Sequence, residues 1–147
     1  MGRSIARSAA VLLVAVTASA CSGGDGSTIE RTEWLLAETS NNRTLELYVY
    51  AGGSSCVDYD RVEVAATPDD VTVAAYVRWS GPGCSEDFRW EEVPVELDEP
   101  LGERDLTGCT GEEITVTGWN LDPETDCGDV PDWISEQLKF STPAPSR

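Results

Sequence analysis

Val71-Thr72-Val73-Ala74-Ala75-Tyr76-Val77-Arg78-Trp79 decides the fold. Val71, Val73, Ala75, Val77 and Trp79 fall on one phase of a two-residue period, and Thr72, Ala74, Tyr76 and Arg78 on the other. Successive side chains of a strand point to opposite faces, so the stretch predicts a half-buried β-strand. The same period appears on both sides of it. Leu45, Leu47 and Val49 alternate with Thr44, Glu46, Tyr48 and Tyr50; Val62 and Val64 alternate with Arg61 and Glu63; Val93, Val95 and Leu97 alternate with Glu92, Pro94 and Glu96. Trp34 to Thr39 precedes the series, and Ile114 with Val116 is expected to close it. Pro94 has no N–H for a ladder, so its strand is expected at an edge or at a bulge.

Turn chemistry connects these runs. Ser40-Asn41-Asn42-Arg43 joins 34–39 to 44–50, and asparagine tolerates the positive φ of a tight hairpin. Thr67-Pro68-Asp69-Asp70 joins 58–66 to 71–79, with proline where a type I turn accepts it. The class expected is mainly β: a small antiparallel meander or sandwich-like sheet. After Asp129, Pro131, Trp133, Ile134, Leu138 and Lys139 fit a short C-terminal helix with an apolar face docked on the sheet.

That layout predicts two disulfides. Up and down a hairpin turning at 67–70, Cys56 comes beside the stretch after Trp79, where Cys84 lies, so Cys56 is expected to bond Cys84. Cys109 and Cys127 are then paired by exclusion, although four cysteines by count allow three pairings. A redox or metal-thiolate reading is opposed by the absence of any CxxC spacing and of any histidine.

The fifth cysteine, Cys21, ends a leader. Arg3 and Arg7 precede an apolar run through Val11-Leu12-Leu13-Val14-Ala15-Val16 and the small residues Ala18-Ser19-Ala20, the order of a secretion signal. Small residues directly before a cysteine resemble the lipobox of bacterial lipoproteins, with Ala18 where leucine is usual. The resemblance implies that Cys21 is diacylated, becomes the first residue of the mature chain, and anchors it to the lipid bilayer on the extracytoplasmic face of the cell membrane. The alternative is a freely secreted protein cleaved after Ala20. The expected organisation is a signal peptide at 1–20, lipidated cysteine and flexible tether at 21–28, one β domain at 29–140 and a disordered tail at 141–147.

Loss of the leader takes the formal charge from −17 to −19 by removing Arg3 and Arg7. Such a surface disfavours nucleic acid and anionic lipid as partners and favours solubility or cationic partners. The chain has no histidine and a single lysine, Lys139, which removes the usual general base and the Ser/His and Cys/His pairings. The sequence offers no catalytic set and requires no cofactor. Oligomeric state is left open.

Three groups remain as candidate sites. Asn120, Asp122, Glu124 and Asp126 place oxygens at every second residue, which suits a hard cation such as calcium. The ordinary reading is a solvated acidic loop pinned by a disulfide. Trp90, Tyr48, Tyr50 and Tyr76 form an aromatic face for stacking on an envelope protein or glycan. Trp90 is expected to be exposed because it shares the phase of Glu92 and Glu96; Trp79, in phase with Val71 to Val77, is expected in the core. Acid pairs such as Glu86/Asp87 and Glu91/Glu92 would be needed by a carbohydrate hydrolase, and composition alone accounts for them. Arg104 is expected to clamp loop carbonyls or carboxylates, and Arg78 to pair with Glu92 or Glu63.

The stretches Gly52-Gly53-Ser54-Ser55-Cys56, Val62-Glu63-Val64, Thr67-Pro68-Asp69-Asp70-Val71-Thr72-Val73 and Val93 to Leu106 resemble small exported proteins and lipoproteins of actinobacteria. Pro100-Leu101-Gly102-Glu103-Arg104-Asp105-Leu106 carries most of the likeness, which spans about residues 40 to 117. It implies a compact β domain and no particular substrate. The function expected is that of a membrane-anchored binding module of the cell envelope.

Overall fold

A computed structural model of the chain describes residues 26–128 apart from 41 and 54, together with 132–134 and 136. The leader, Cys21, Leu138, Lys139 and the tail lie outside the described residues.

Seven strands are described: β1 (Thr28–Thr32), β2 (Trp34–Ser40), β3 (Thr44–Gly52), β4 (Val57–Ala66), β5 (Asp70–Trp79), β6 (Arg89–Glu96) and β7 (Asp105–Thr107). They form two sheets. One has the order β1-β5-β4, with β7 also on β5; the other is β2-β3-β6. The fold is mainly β and antiparallel, apart from the parallel β5–β7 pairing. The two hairpins predicted from turn chemistry both form, but in different sheets, so the chain is a sandwich and not one continuous meander.

The alternation seen in the sequence becomes the core. Leu45, Leu47 and Val49 of β3, Val93 and Val95 of β6, and Val71, Val73 and Ala75 of β5 meet between the sheets around Trp34. Trp34 is fully buried and its indole N–H donates to the Val73 carbonyl at 3.0 Å, which ties β2 of one sheet to β5 of the other. Pro94 lies on β6, an edge strand, as its missing N–H requires. Asn42 turns the β2–β3 hairpin with φ 56°. In the β4–β5 turn, the Thr67 N–H donates to the Asp70 carbonyl at 2.8 Å, while its hydroxyl accepts from the Asp70 N–H at 3.0 Å.

Four expectations need correction. Strand β1 was not foreseen, and Thr28 belongs to it and not to the tether. Ile114 and Val116 form no strand; Val116 makes one isolated parallel bridge to Thr32. Arg78 bonds Asp60, not Glu92 or Glu63. Arg78 lies opposite Asp58 at the start of β4, Glu63 is paired with Ala74 further along the same hairpin, and Glu92 belongs to β6 in the other sheet. The fourth is the aromatic face, from which Trp90 and Tyr76 depart as described with the site.

Both predicted disulfides are present. Cys56–Cys84 and Cys109–Cys127 have Cα separations of 5.1 and 5.6 Å. Residues 132–134 form a helical turn whose Ile134 is fully buried against Leu35 and Trp119, while Trp133 faces outward.

Candidate functional site

The passage from the first sheet to the second takes one residue, Glu33, between β1 and β2. Glu33 is 2% exposed. Its carboxylate accepts three backbone N–H bonds, from Gly118 at 2.9 Å, Trp119 at 2.7 Å and Leu121 at 3.0 Å. Around it, the Thr32 hydroxyl donates to the carbonyls of Tyr50 and Val116, and the N–H groups of Thr115 and Val116 donate to the Arg31 carbonyl. Several backbone groups of an irregular segment that lacks a ladder are thereby satisfied. Gly118 lies flat on the Tyr50 ring, where a Cβ would stand 2.3 Å from the nearest ring carbon.

This segment covers the outer face of β3 and β6. Trp90 has the phase predicted for it, outward and opposite Tyr50, but it is half-buried. Trp119 stacks on its ring with centroids 3.3 Å apart, and Tyr50 lies 4.7 Å away on the same ring. The outer face is thus a second interior, in which Leu35, Trp119 and Ile134 pack with Tyr48, Trp90 and Leu121. Burial is the main cause that raises the phenols of Tyr48 and Tyr50 above the ordinary range. Tyr76 is remote from them, on the first sheet, with the Arg61 guanidinium 4.3 Å above its ring.

Aromatic surface reaches solvent at one end of the sandwich. After β5 the chain loops through 80–88, and the Cys56–Cys84 bond fixes that loop to the start of β4. The Ser85 N–H donates to the Ser55 hydroxyl at 2.7 Å, the Ser80 N–H donates to the Cys56 carbonyl at 2.8 Å, and Arg89 reaches the Val57 carbonyl at 2.7 Å. Gly53 allows the contact, because a Cβ there would stand 2.2 Å from the Ser85 carbonyl oxygen. Between this loop and residues 115–117 runs a groove of about 610 Å³. Tyr50, Trp79 and Phe88 form its apolar walls; Glu86 and Asp87 stand on the loop side, and Thr115 and Thr117 face them. Phe88 is 68% exposed, the largest exposure among the described large apolar side chains. Trp79 packs partly against the core, as its phase predicts, and also lines the groove.

At the opposite end, two hollows of about 400 and 720 Å³ flank Arg104. Its guanidinium donates to the carbonyls of Leu101, Thr67, Glu99 and Pro100. That is the predicted clamp, and it leaves the group engaged with backbone. The acidic segment is likewise engaged locally: Asp122 accepts from the Glu124 N–H at 3.1 Å and Asp126 from the Gly128 N–H at 2.9 Å. Among the described residues no three carboxylate or thiol side chains gather as a cation site, so Asp122, Glu124 and Asp126 do not converge on one point.

Of the aromatic candidates in the sequence only Tyr50 lines the groove; Trp79 is expected in the core and also lines it, while Phe88 as a wall, Glu86 and Asp87 as the rim, and Glu33 and Trp119 as supports are not read from the sequence. A large aromatic between a cysteine loop and an edge strand was the available signal for Phe88. No family model matches the chain, and no curated protein or solved structure matches it either.

Proposed function

We propose that this protein is an extracytoplasmic lipoprotein, anchored to the membrane by acylated Cys21, whose β-sandwich binds a ligand of the cell envelope in the Phe88 groove. The observation that carries the binding reading is a large, solvent-facing aromatic, Phe88, held beside Tyr50 and Trp79 by a loop that a disulfide fixes in place. Exposed apolar side chains grouped in a concavity mark binding sites more often than isolated ones do. A rigid loop lowers the ordering cost of binding, so modest contacts suffice. The leader, the tether and the acidic surface agree with a domain displayed in solution near the bilayer.

Retention of the purified protein on isolated envelopes of the source cells tests the groove. Phe88→Ala removes a wall without touching the core, and retention should fall at least about fivefold, the scale of an interface aromatic. Equal retention of variant and wild type would overturn the assignment.

A further inference from the structure

Proteins blunt the open edges of their sheets, and three long edges are blunted here. The N–H groups of Thr115 and Val116 reach the Arg31 carbonyl of β1, the Cys127 carbonyl takes the Leu36 N–H of β2, and β6 carries Pro94, which has no N–H to offer. The remaining edge strand, β4, ends in Glu63-Val64-Ala65-Ala66, all exposed. The Thr67 N–H bonds the Asp70 carbonyl, so by antiparallel alternation Glu63 and Ala65 exchange bonds with β5, while the backbone groups of Val64 and Ala66 turn to the open edge. The Val73 carbonyl, opposite Val64, agrees, because it points away from β4 and accepts the Trp34 indole N–H. Neither Val64 nor Ala66 has another backbone partner among the described residues. At Val62 the N–H meets the Tyr59 phenol, which ends the open stretch.

The side chains on this stretch lack a cover as well. Val64 and Ala66 share the phase of Val62, which packs on the core, yet Val64 is 41% exposed. Beside them lies the hollow of about 400 Å³, with Glu96, Asp98 and Glu99 across it at the end of β6 and just beyond. These charges are not neutralised by ion pairs among the described residues. Glu96 accepts from the Thr44 hydroxyl, while Arg43 and Arg104 direct their guanidinium donors to backbone carbonyls. Three carboxylates and one guanidinium, that of Arg104, therefore line the hollow.

We propose that β4 accepts one further strand, an extended cationic peptide segment that bonds the backbone of Val64 and Ala66 and lays alternate arginine or lysine side chains in the hollow. Their aliphatic stems would cover Val64 and Ala66 and their charges would face Glu96, Asp98 and Glu99. A second copy of this chain is disfavoured as the occupant, since it would bring another acidic rim and a charge of −17. The site lies at the other end of the sandwich from the Phe88 groove and does not depend on it.

The test uses the full-length protein in maltoside micelles and a capped pentapeptide of alternating threonine and arginine, followed by nuclear magnetic resonance. Exchange of the Val64 and Ala66 amides should slow at least about fivefold at saturation, with Glu63 and Ala65 unchanged, and a threonine–glutamate peptide should bind at least about fivefold more weakly. Only one set of alternate peptide N–H groups can face β4, so N-methylation at the arginines and N-methylation at the threonines should differ in effect at least about fivefold. Val64→Pro, which removes an edge N–H without breaking the ladder, should weaken the arginine peptide by a similar factor, as should Asp98→Asn/Glu99→Gln, which leaves β4 intact. Equal binding of the two N-methylated peptides, or unchanged exchange at Val64 and Ala66, would overturn strand addition. Protection of those amides without peptide, rising with protein concentration, would overturn the peptide in favour of a second copy.

Discussion

Glu33 is the residue on which the covered face depends. A buried carboxylate is tolerated because three N–H groups solvate it. Glu33→Gln keeps the volume and replaces one oxygen by a donor that opposes the N–H groups. The expected loss is about 2–4 kcal/mol by denaturant unfolding, with faster amide exchange at Gly118, Trp119 and Leu121. A loss below about 0.5 kcal/mol would contradict the role, since that is the range of an indifferent surface site. Nothing in the sequence could single out this acid among 27, because its partners lie 85 to 88 residues further along the chain.

Asp60 makes a pH-dependent contribution. The hydrogen bond from Arg61 is the leading cause that holds its carboxyl below the ordinary range, and Arg78 adds to it. A carboxyl depressed on folding stabilises the native state above its unfolded pKa of about 3.9, and that stability is lost as pH falls through the folded value. Asp60→Asn should therefore melt below the wild type at about pH 7, with the gap closing progressively below about pH 4. A gap that is constant with pH would contradict this.

Elements with a sustained period were legible, and short ones were not. The hairpins β2–β3 and β4–β5 could be read because alternation and turn residues agree. Strand β1 has five residues with Ile29 half-exposed, and β7 has three, so neither shows a period to read. Both owe their place to the open edge of β5, which each covers at a different stretch. Trp90 shows the other failure: period gives the face of a strand, while what covers that face comes from a segment without period. Beside β5, Gly108 has φ 102°, and a Cβ there would stand 2.2 Å from the Val73 carbonyl oxygen. Gly111, at φ 139°, faces open space. Gly108→Ala should cost about 3 kcal/mol or more and Gly111→Ala about 1 kcal/mol, by thermal or denaturant unfolding. Equal costs would show that the backbone contact at Gly108 contributes nothing.

At the scale of the whole molecule, two sheets enclose one core, two disulfides fix loops the ladders do not reach, and one of those loops shapes the groove. The Cys56–Cys84 bond was legible because a hairpin brings its two ends together. The groove was not, since it forms where 80–88 meets 115–117 and no local pattern joins those segments. On the proposed reading, this acidic domain with its open groove would be displayed outside the cytoplasm on a flexible leash. Two or three acyl chains, each buried methylene contributing about 0.8 kcal/mol, would hold it there durably. The most direct test is metabolic labelling with radioactive palmitate in cells making either wild type or Cys21→Ser. The account predicts label in the wild-type protein, partitioning into detergent, and none in the variant; label that persists in Cys21→Ser, or an unlabelled wild-type protein free in the medium, would contradict it.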